Sequence, residues 1–302
     1  MKDLMLDNVK RSCFSACPRK YYWEHVMFLR PIKGSTALRF GVAFHAGLDK
    51  YYSELKEKGW TYFNNNPIDT NLLSLTMSAA DISWNSEFQD QEFFTDYKSL
   101  DLCKHLILNY VSYYAYDLTS LDIESVEIKF KHTIDADKGL YFTGRIDLLA
   151  FVDGCLYIFD HKTTGQPIHR VSNIASRSAQ MLGYYYYVRN GLGKAPAGAM
   201  INYASVPSPY IRKDGSHADI KIEFSRIPAI YTSYDEGTWL EHFLWICDSI
   251  RTCESSGNWP MNFDSCYPFM GRCPYTELCE QHRKIDDVIT DSFIVKEWNP
   301  LD

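Results

Sequence analysis

The sequence predicts an α/β protein: a central mixed β-sheet flanked by helices, a mainly helical N-terminal portion, and a C-terminus stapled by cysteines. Three observations carry this reading. Apolar residues recur at helical spacing through most of residues 12–118, then the pattern switches to period two at Ser125. From there the order is strand, strand, strand, helix, strand. Cys266, Cys273 and Cys279 then gather near the C-terminus. The chain has 302 residues and is 46% hydrophobic, enough for a large core, so 1–302 is read as one domain. Its parts are helices over 1–120, the β-β-β-α-β core over 121–210, and a helix with the cysteine region over 211–302.

Residues 12–29 read as an amphipathic helix with an aromatic patch at Tyr21, Tyr22 and Trp23. The next helix, Leu38 to Lys58, carries His45, with Asp49 one turn further on the same face. Asn64-Asn65-Asn66-Pro67 marks a loop. Two more helices cover 71–89 and 97–118, the second ending in Tyr110, Tyr113, Tyr114 and Tyr116. Ser125 to Ile134 alternates as a strand, with Val126, Ile128 and Phe130 on one face and Glu127, Lys129 and Lys131 on the other. Phe142 to Phe151 and Leu156 to Thr164 flank Asp153-Gly154, a strong two-residue hairpin turn. Ile174 to Asn190 reads as a helix, Ala197 to Val206 as a strand, and Asp235 to Cys253 as an apolar helix. The polar residues 280–302 are expected to be partly loose.

The net charge of −7 argues against a generic basic coat for nucleic acid, but not against an enzyme that grips DNA in a local groove. Basic residues near the hairpin are Arg145, Lys162, Arg170 and Arg177; a second set is Arg11, Arg19, Lys20, Arg30 and Lys33. No apolar run is long enough to span a bilayer, and the first residues do not resemble a signal peptide. The expectation is a cytoplasmic protein with no membrane partner. Nine cysteines, an odd number, make a disulfide framework an unsuitable reading in that compartment. Cys103, Cys155, Cys247 and Cys253 lie on or beside apolar segments and read as buried small hydrophobes.

The hairpin concentrates the chemistry. If Val152 faces Cys155, Asp147 falls opposite Asp160, and Lys162 shares the face of Asp160. Opposed side chains have Cβ atoms about 5 Å apart. Both strands are apolar on both faces, so the carboxylates would be buried and would repel. A divalent metal resolves that conflict. In the helix that follows, Gln180 and Tyr184 are four apart and share one face, which can pack back toward the pair. Core packing explains Tyr184 equally well, because four tyrosines follow one another.

These residues form a pattern. GRID (Gly144 to Asp147), DHK (Asp160 to Lys162) and Q-x-x-x-Y (Gln180 to Tyr184) resemble the RecB-type branch of the PD-(D/E)XK nuclease superfamily. GVAFH, Gly41 to His45, resembles the upstream histidine motif of that branch, and CPRKYY, Cys17 to Tyr22, its N-terminal cysteine motif. The late C-x6-C-P-Y-x3-C stretch is similar to the C-terminal cysteines of iron–sulfur members, which include the CRISPR-associated exonucleases and AddB-type recombination nucleases.

The resemblance implies a single nuclease domain with a restriction-endonuclease-like core. It implies a metal-dependent DNA exonuclease acting on single strands or free ends, in recombination, repair, phage replication or CRISPR adaptation. The alternative is a non-cleaving DNA-binding or assembly subunit, against which the intact Asp147, Asp160 and Lys162 argue. Asp147, Asp160 and the His161 carbonyl would hold Mg²⁺ or Mn²⁺, with His45 adding a nitrogen; Lys162, Gln180 and Tyr184 would act on water or phosphate. Without the other motifs, His45 would read as an ordinary helix histidine. Asp at position 160 replaces the more frequent Glu, an accepted variant. Glu127 is read evenly as a second shell to the site or as a solvated charge.

Cys17, Cys266, Cys273 and Cys279 would hold a 4Fe–4S cluster, with Zn²⁺ as the alternative on the same ligands. Their spacing departs from the tighter C-x2-C-x5-C of many relatives, which puts Cys266 in question and leaves Cys13 as a substitute. Partners implied are DNA and other DNA-processing subunits such as a helicase. Tyr21 to Trp23 could stack on bases, though such aromatics more often belong to the core.

Overall fold

The computed structural model describes residues 3–59, 69–86, 89–93, 97–115, 121–172, 177–209, 220–268, 271–280 and 284–297. The loop signal at 64–67 and Tyr116 lie outside them. Strand β1 (Leu4–Leu6) leads into helix α1 (Asn8–Ala16), where Asp7 caps by accepting the Lys10 N–H. α1 stops at Cys17, which is extended (φ −165°) because the residue before a proline is pushed out of the helical region. Pro18 then opens α2 (Pro18–Tyr21), which runs into a π-helical turn over Tyr22–Val26. Phe28, with φ 55°, turns the chain into β2 (Leu29–Pro31). The single helix expected over 12–29 is therefore broken, first by Pro18 and then by the π turn.

Helices α3 (Thr36–Lys58), α4 (Thr70–Ser86) and α5 (Leu100–Tyr113) follow, with Ser35 and Ser99 capping the first and third. Strands β3 (Leu121–Asp135), β4 (Leu140–Val152) and β5 (Cys155–Thr164) come next. Short α6 (Ile168–Val171) precedes α7 (Ala179–Asn190), which starts later than expected because Ser178 caps it. β6 (Gly198–Ser205), β7 (Glu223–Ala229), α8 (Ser233–Ser256), α9 (Thr276–Glu280), α10 (Ile285–Ser292) and β8 (Phe293–Val295) complete the order. Within the tail expected to be partly loose, Ile285–Ser292 is a helix and Phe293–Val295 a strand, and β8 pairs with β2; 281–283 and 298–302 lie outside the described residues. The tail's apolar partners, Trp23 and Leu29, lie far away in sequence, so a local reading could not find them.

Among the described residues, β3 runs along one edge of β4, while the other edge holds β1 at Leu140–Phe142 and β5 at Leu148–Val152, and β6 and β7 follow β5. β1 with β4 and β5 with β6 are parallel, and the other pairs are antiparallel. This is the mixed sheet of a restriction-endonuclease-like fold. Asp153 (φ 48°) and Gly154 (φ 78°) are both left-handed, as a type I′ hairpin requires, and they set Val152 opposite Cys155. One layer, from α1, α7 and α8, covers Phe142, Ile146 and Ile158. The other, from α3, α4 and α5, covers Leu148, Phe159 and Ala204. No helix of the described residues is long and apolar enough to cross a membrane.

The first layer sits close to the sheet because Gly183 has no side chain. A Cβ there would meet Phe142 Cζ at 2.7 Å and Trp239 Cζ2 at 2.8 Å. Gly183→Ala tests this. Helix propensity alone would stabilise the variant by about 1 kcal/mol, whereas overpacking costs about 1–3 kcal/mol. Net destabilisation in urea unfolding is expected; a gain in stability would refute the tight contact.

Candidate active site

The β4–β5 ladder runs inward from the turn to Leu148↔Phe159 and stops one pair short of Asp147 and Asp160. On the other edge of β4, Glu127 has φ 50°, between the pairs Val126↔Leu148 and Ile128↔Ile146. Residues two apart on a regular strand share a face. Here they do not. Ile146 and Ile128 pack in the α1–α7–α8 layer, Leu148 and Val126 in the α3–α4–α5 layer. Both strands turn over together at Glu127 and Asp147. This corrects the expectation that Val126, Ile128 and Phe130 share one face. Asp147 therefore sits where groups from both layers can reach it.

Asp147 and Asp160 are buried, at 8% and 1% exposure. Asp147 Oδ2 accepts the His161 backbone N–H at 2.7 Å and lies 3.3 Å from His45 Nδ1 on α3. Asp160 Oδ1 accepts from Lys162 Nζ at 3.1 Å and from Gln180 Nε2 at 3.0 Å. Lys162 Nζ also donates to Gln180 Oε1 at 2.9 Å, and Gln180 Nε2 donates to the Tyr184 hydroxyl at 3.2 Å. Asp160 Oδ2 lies 2.9 Å from Lys162 Nζ but receives no directed hydrogen bond, although it is buried. The Lys162 side chain is 40% exposed and that of His45 24%, so these two stand at the mouth and the carboxylates at the floor.

The His161 side chain turns to the opposite layer. Its ring stacks on Tyr52 with centroids 5.4 Å apart, and Nδ1 lies 3.1 Å from Asn202 Nδ2. Tyr52 and Tyr110 share a hydroxyl hydrogen bond of 2.6 Å, and Asn202 reaches the Tyr110 hydroxyl. This buried network under Asp147 is absent from the sequence reading. Its members are scattered over four elements, and Tyr52 at seven residues from His45 is the one periodic hint. The Tyr184 ring also serves as core, edge-on to Phe130.

Burial raises the Asp147 carboxyl, but the charge and hydrogen bond of His45, with the charge of Lys162, overcome it and hold it well below the usual range. Asp160 moves the other way: burial dominates, Lys162 opposes, Asp147 repels, and its carboxyl is raised. Burial opposes the charge on His45 and Lys162, yet the carboxylates keep both raised. Glu127 is pushed up to about 7 by burial and by Asp147, although Arg145 pairs with it at 2.9 Å. One carboxylate ionises readily and its neighbour resists, a conflict that a divalent cation relieves.

At the other end of the first layer the thiols gather. Cys17 Sγ accepts the Asn262 N–H at 3.3 Å, and the Asn262 amide and Ser265 hydroxyl both donate to the Ala16 carbonyl. The Cys273 N–H donates to the Cys266 carbonyl at 2.8 Å. Burial pushes up the thiols of Cys273 and Cys279. Cys17 and Cys266 add to the effect on Cys273, and Cys273 and Cys17 to that on Cys279. Cys13 instead donates to Glu24 Oε2 at 3.7 Å. Cys103, Cys247 and Cys253 are buried as expected, but Cys155 is exposed, because it follows the hairpin turn directly. Tyr21 and Trp23 are buried, and Tyr21 stacks on Trp259 at 5.8 Å, so both are core rather than free platforms for bases.

The His161 imidazole gives a pH test. Burial lowers it from 6.5 to about 3, so the folded state stays unprotonated where the unfolded chain takes up a proton. Its stability contribution is present above pH 6.5 and is lost as pH falls toward 3. Between pH 7 and pH 5 the loss is about 2 kcal/mol. Urea unfolding of His161→Asn should show a pH dependence smaller by that amount; an unchanged dependence would disprove the buried neutral ring.

A family model, the PD-(D/E)XK nuclease superfamily, matches residues 10–280. No curated protein matches the chain. The matched span runs from α1 to α9 and takes in both floor carboxylates, Lys162 and the gathered cysteines. With so much of the chain covered, the protein belongs to the PD-(D/E)XK nuclease superfamily.

Proposed function

We propose that the protein is a metal-dependent DNA exonuclease of the RecB-like branch, acting on single strands or free ends. The observation that carries this is the Asp160–Lys162–Gln180 triangle, closed by three hydrogen bonds over a buried carboxylate pair. Members of the superfamily are generally nucleases and usually use Mg²⁺ or Mn²⁺. The donor set fits such an ion. Carboxylate oxygens are hard ligands, and Asp160 Oδ2 is buried with no directed hydrogen bond. Asp147, Asp160 and the His161 carbonyl would hold it, and a His45 nitrogen suits Mn²⁺. Bound there, the ion supplies Lewis-acid polarisation of the phosphoryl oxygen and a lowered water pKa.

The side chains do the rest. Asp160 and Gln180 hold the Lys162 ammonium in one position, and the neighbouring carboxylates keep it charged at neutral pH. A fixed cation orients the attacking water and offsets charge growing on the scissile phosphate. Gln180 carries the Tyr184 hydroxyl into the same network. His45, at the mouth, braces Asp147 from the opposite layer. The cleavage is direct hydrolysis with no covalent intermediate. The motif order GVAFH, GRID, DHK, Q-x-x-x-Y supports the RecB-like branch. With it come cytoplasmic work on DNA in recombination, repair, phage replication or CRISPR adaptation, and partners such as a helicase. We also propose that Cys17, Cys266, Cys273 and Cys279 hold a 4Fe–4S cluster within the same nuclease domain, with Zn²⁺ as the alternative occupant.

End-labelled single- and double-stranded DNA, digested with Mg²⁺ or Mn²⁺ by anaerobically purified protein, tests the activity. Asp160→Ala and Lys162→Ala should each lose activity by roughly 10²–10⁴-fold, while release of label from one end gives polarity. A folded, metal-supplied wild type that binds DNA without cutting would replace this reading with a binding subunit. For the cluster, Cys273→Ser should remove iron and sulfide and lower the melting temperature. Iron-free wild type that carries zinc on the same cysteines would assign the site to Zn²⁺.

A further inference from the structure

A second group of ligand-type side chains stands beside the cysteine site. Cys13 Sγ on α1 and Glu24 and His25 on the π turn bring one ligand atom each within 4.8 Å of one another. Cys13 and His25 are buried, at 6% and 8% exposure, and the His25 side chain is 1% exposed. Both imidazole nitrogens of His25 lack a hydrogen-bond partner. Its Nε2 lies 3.8 Å from Glu24 Oε1, too far for a hydrogen bond. Leaving a buried polar group unpaired costs about 1–3 kcal/mol.

The backbone is shaped to bring these groups together. Adjacent residues of an α-helix point about 100° apart. The π turn is wider, closed by the Met27 N–H on the Tyr22 carbonyl at 2.9 Å, and on it the adjacent Glu24 and His25 each offer a ligand atom near Cys13. Left-handed Phe28 (φ 55°) follows at once. Such departures from regular backbone mark places where local geometry serves a ligand or a site. Arg30 Nη1 holds Glu24 Oε1 at 2.6 Å, and Lys20 lies 3.8 Å from Oε2, which fixes the carboxylate in place.

We propose that Cys13, Glu24 and His25 bind a single Zn²⁺ ion, separate from the four-cysteine site. Sulfur, nitrogen and carboxylate oxygen together suit a borderline divalent ion and not Mg²⁺ or Ca²⁺. Binding displaces one proton, from the Cys13 sulfur to solvent; the His25 ring, buried beside Lys20 and Arg30, is already neutral. The ion would clamp α1 to the π turn across Cys17 and so steady that cysteine.

The test uses full-length, anaerobically purified protein exposed to Zn²⁺ and desalted, with zinc and iron counted by elemental analysis. Wild type should hold one more zinc than either His25→Asn or Cys13→Ser, with iron unchanged in both. Equal zinc in all three overturns the proposal. So does joint loss of zinc and iron from folded variants, which would mean one shared site. A second measurement does not depend on comparing metal contents. In Cys273→Ser, added Zn²⁺ should raise the melting temperature, a chelator should reverse it, and adding His25→Asn should abolish it. No shift in Cys273→Ser overturns the proposal. Neither readout depends on nuclease activity, so failure here leaves the reading of the Asp160 site standing.

Discussion

Asp147 and Asp160 lie on neighbouring strands in the middle of a sheet covered on both sides, where two like charges repel and water cannot screen them. Much of the surrounding structure answers that repulsion. The ladder opens just before the pair. Asp147 takes the backbone N–H of His161 and the ring of His45, while Asp160 takes Lys162 and the Gln180 amide. At Asp147 the partners outweigh burial, whereas at Asp160 burial and the repulsion of Asp147 outweigh Lys162, so the two affinities for protons are driven apart in opposite directions.

This division depends on the strand turnover at Glu127. A regular β4 would give Asp147 wholly to one layer. Because β3 and β4 roll over at that point, α3 reaches Asp147 from one side, while α7 reaches Asp160 and Lys162 from the other. The left-handed Glu127 is itself a half-buried carboxyl held by Arg145 and raised to about 7, so the bend places a third acid beside the pair. Beneath, the His161–Tyr52–Tyr110–Asn202 network fills the space between the sheet and the helices α3 and α5 with linked polar groups. It supports the floor without exposing it to water.

The far end of the molecule follows a different logic. There the chain closes on itself: residues near Cys17 bond to residues near Asn262, and β2 pairs with β8. The packing around Trp23, Tyr275 and Phe293 is a small apolar cluster, and the Tyr275 hydroxyl donates to the Leu29 carbonyl. A cluster this small buries little apolar surface, and bound metal is a usual supplement where a core is thin. The sulfur-bearing groups lie where such a supplement would act.

The hairpin shows what the sequence determined by itself. Asp153-Gly154 permits one turn geometry, the turn fixes the register, and the register sets Asp147 and Asp160 on adjacent strands two residues from Lys162. Likewise the i, i+4 spacing of Gln180 and Tyr184 put them on one helix face, and both reach the same network. These are consequences of local chain geometry. Other features needed the folded chain. Alternation from Val126 to Phe130 read as one face, and only the folded chain shows the turnover at Glu127 that sends Val126 to one layer and Ile128 to the other. Cys155 looked buried by its neighbours but lies at an exposed hairpin end. The first helix reads as continuous in the sequence, but Pro18 breaks it, and the π turn beyond it has no local signature. The tail looked loose because its partner strand lies far back in the sequence. Short-range periodicity reports backbone state, whereas the facing of a strand bend, the pairing of distant ends and the meeting of Cys13 with His25 depend on contacts that form only on folding.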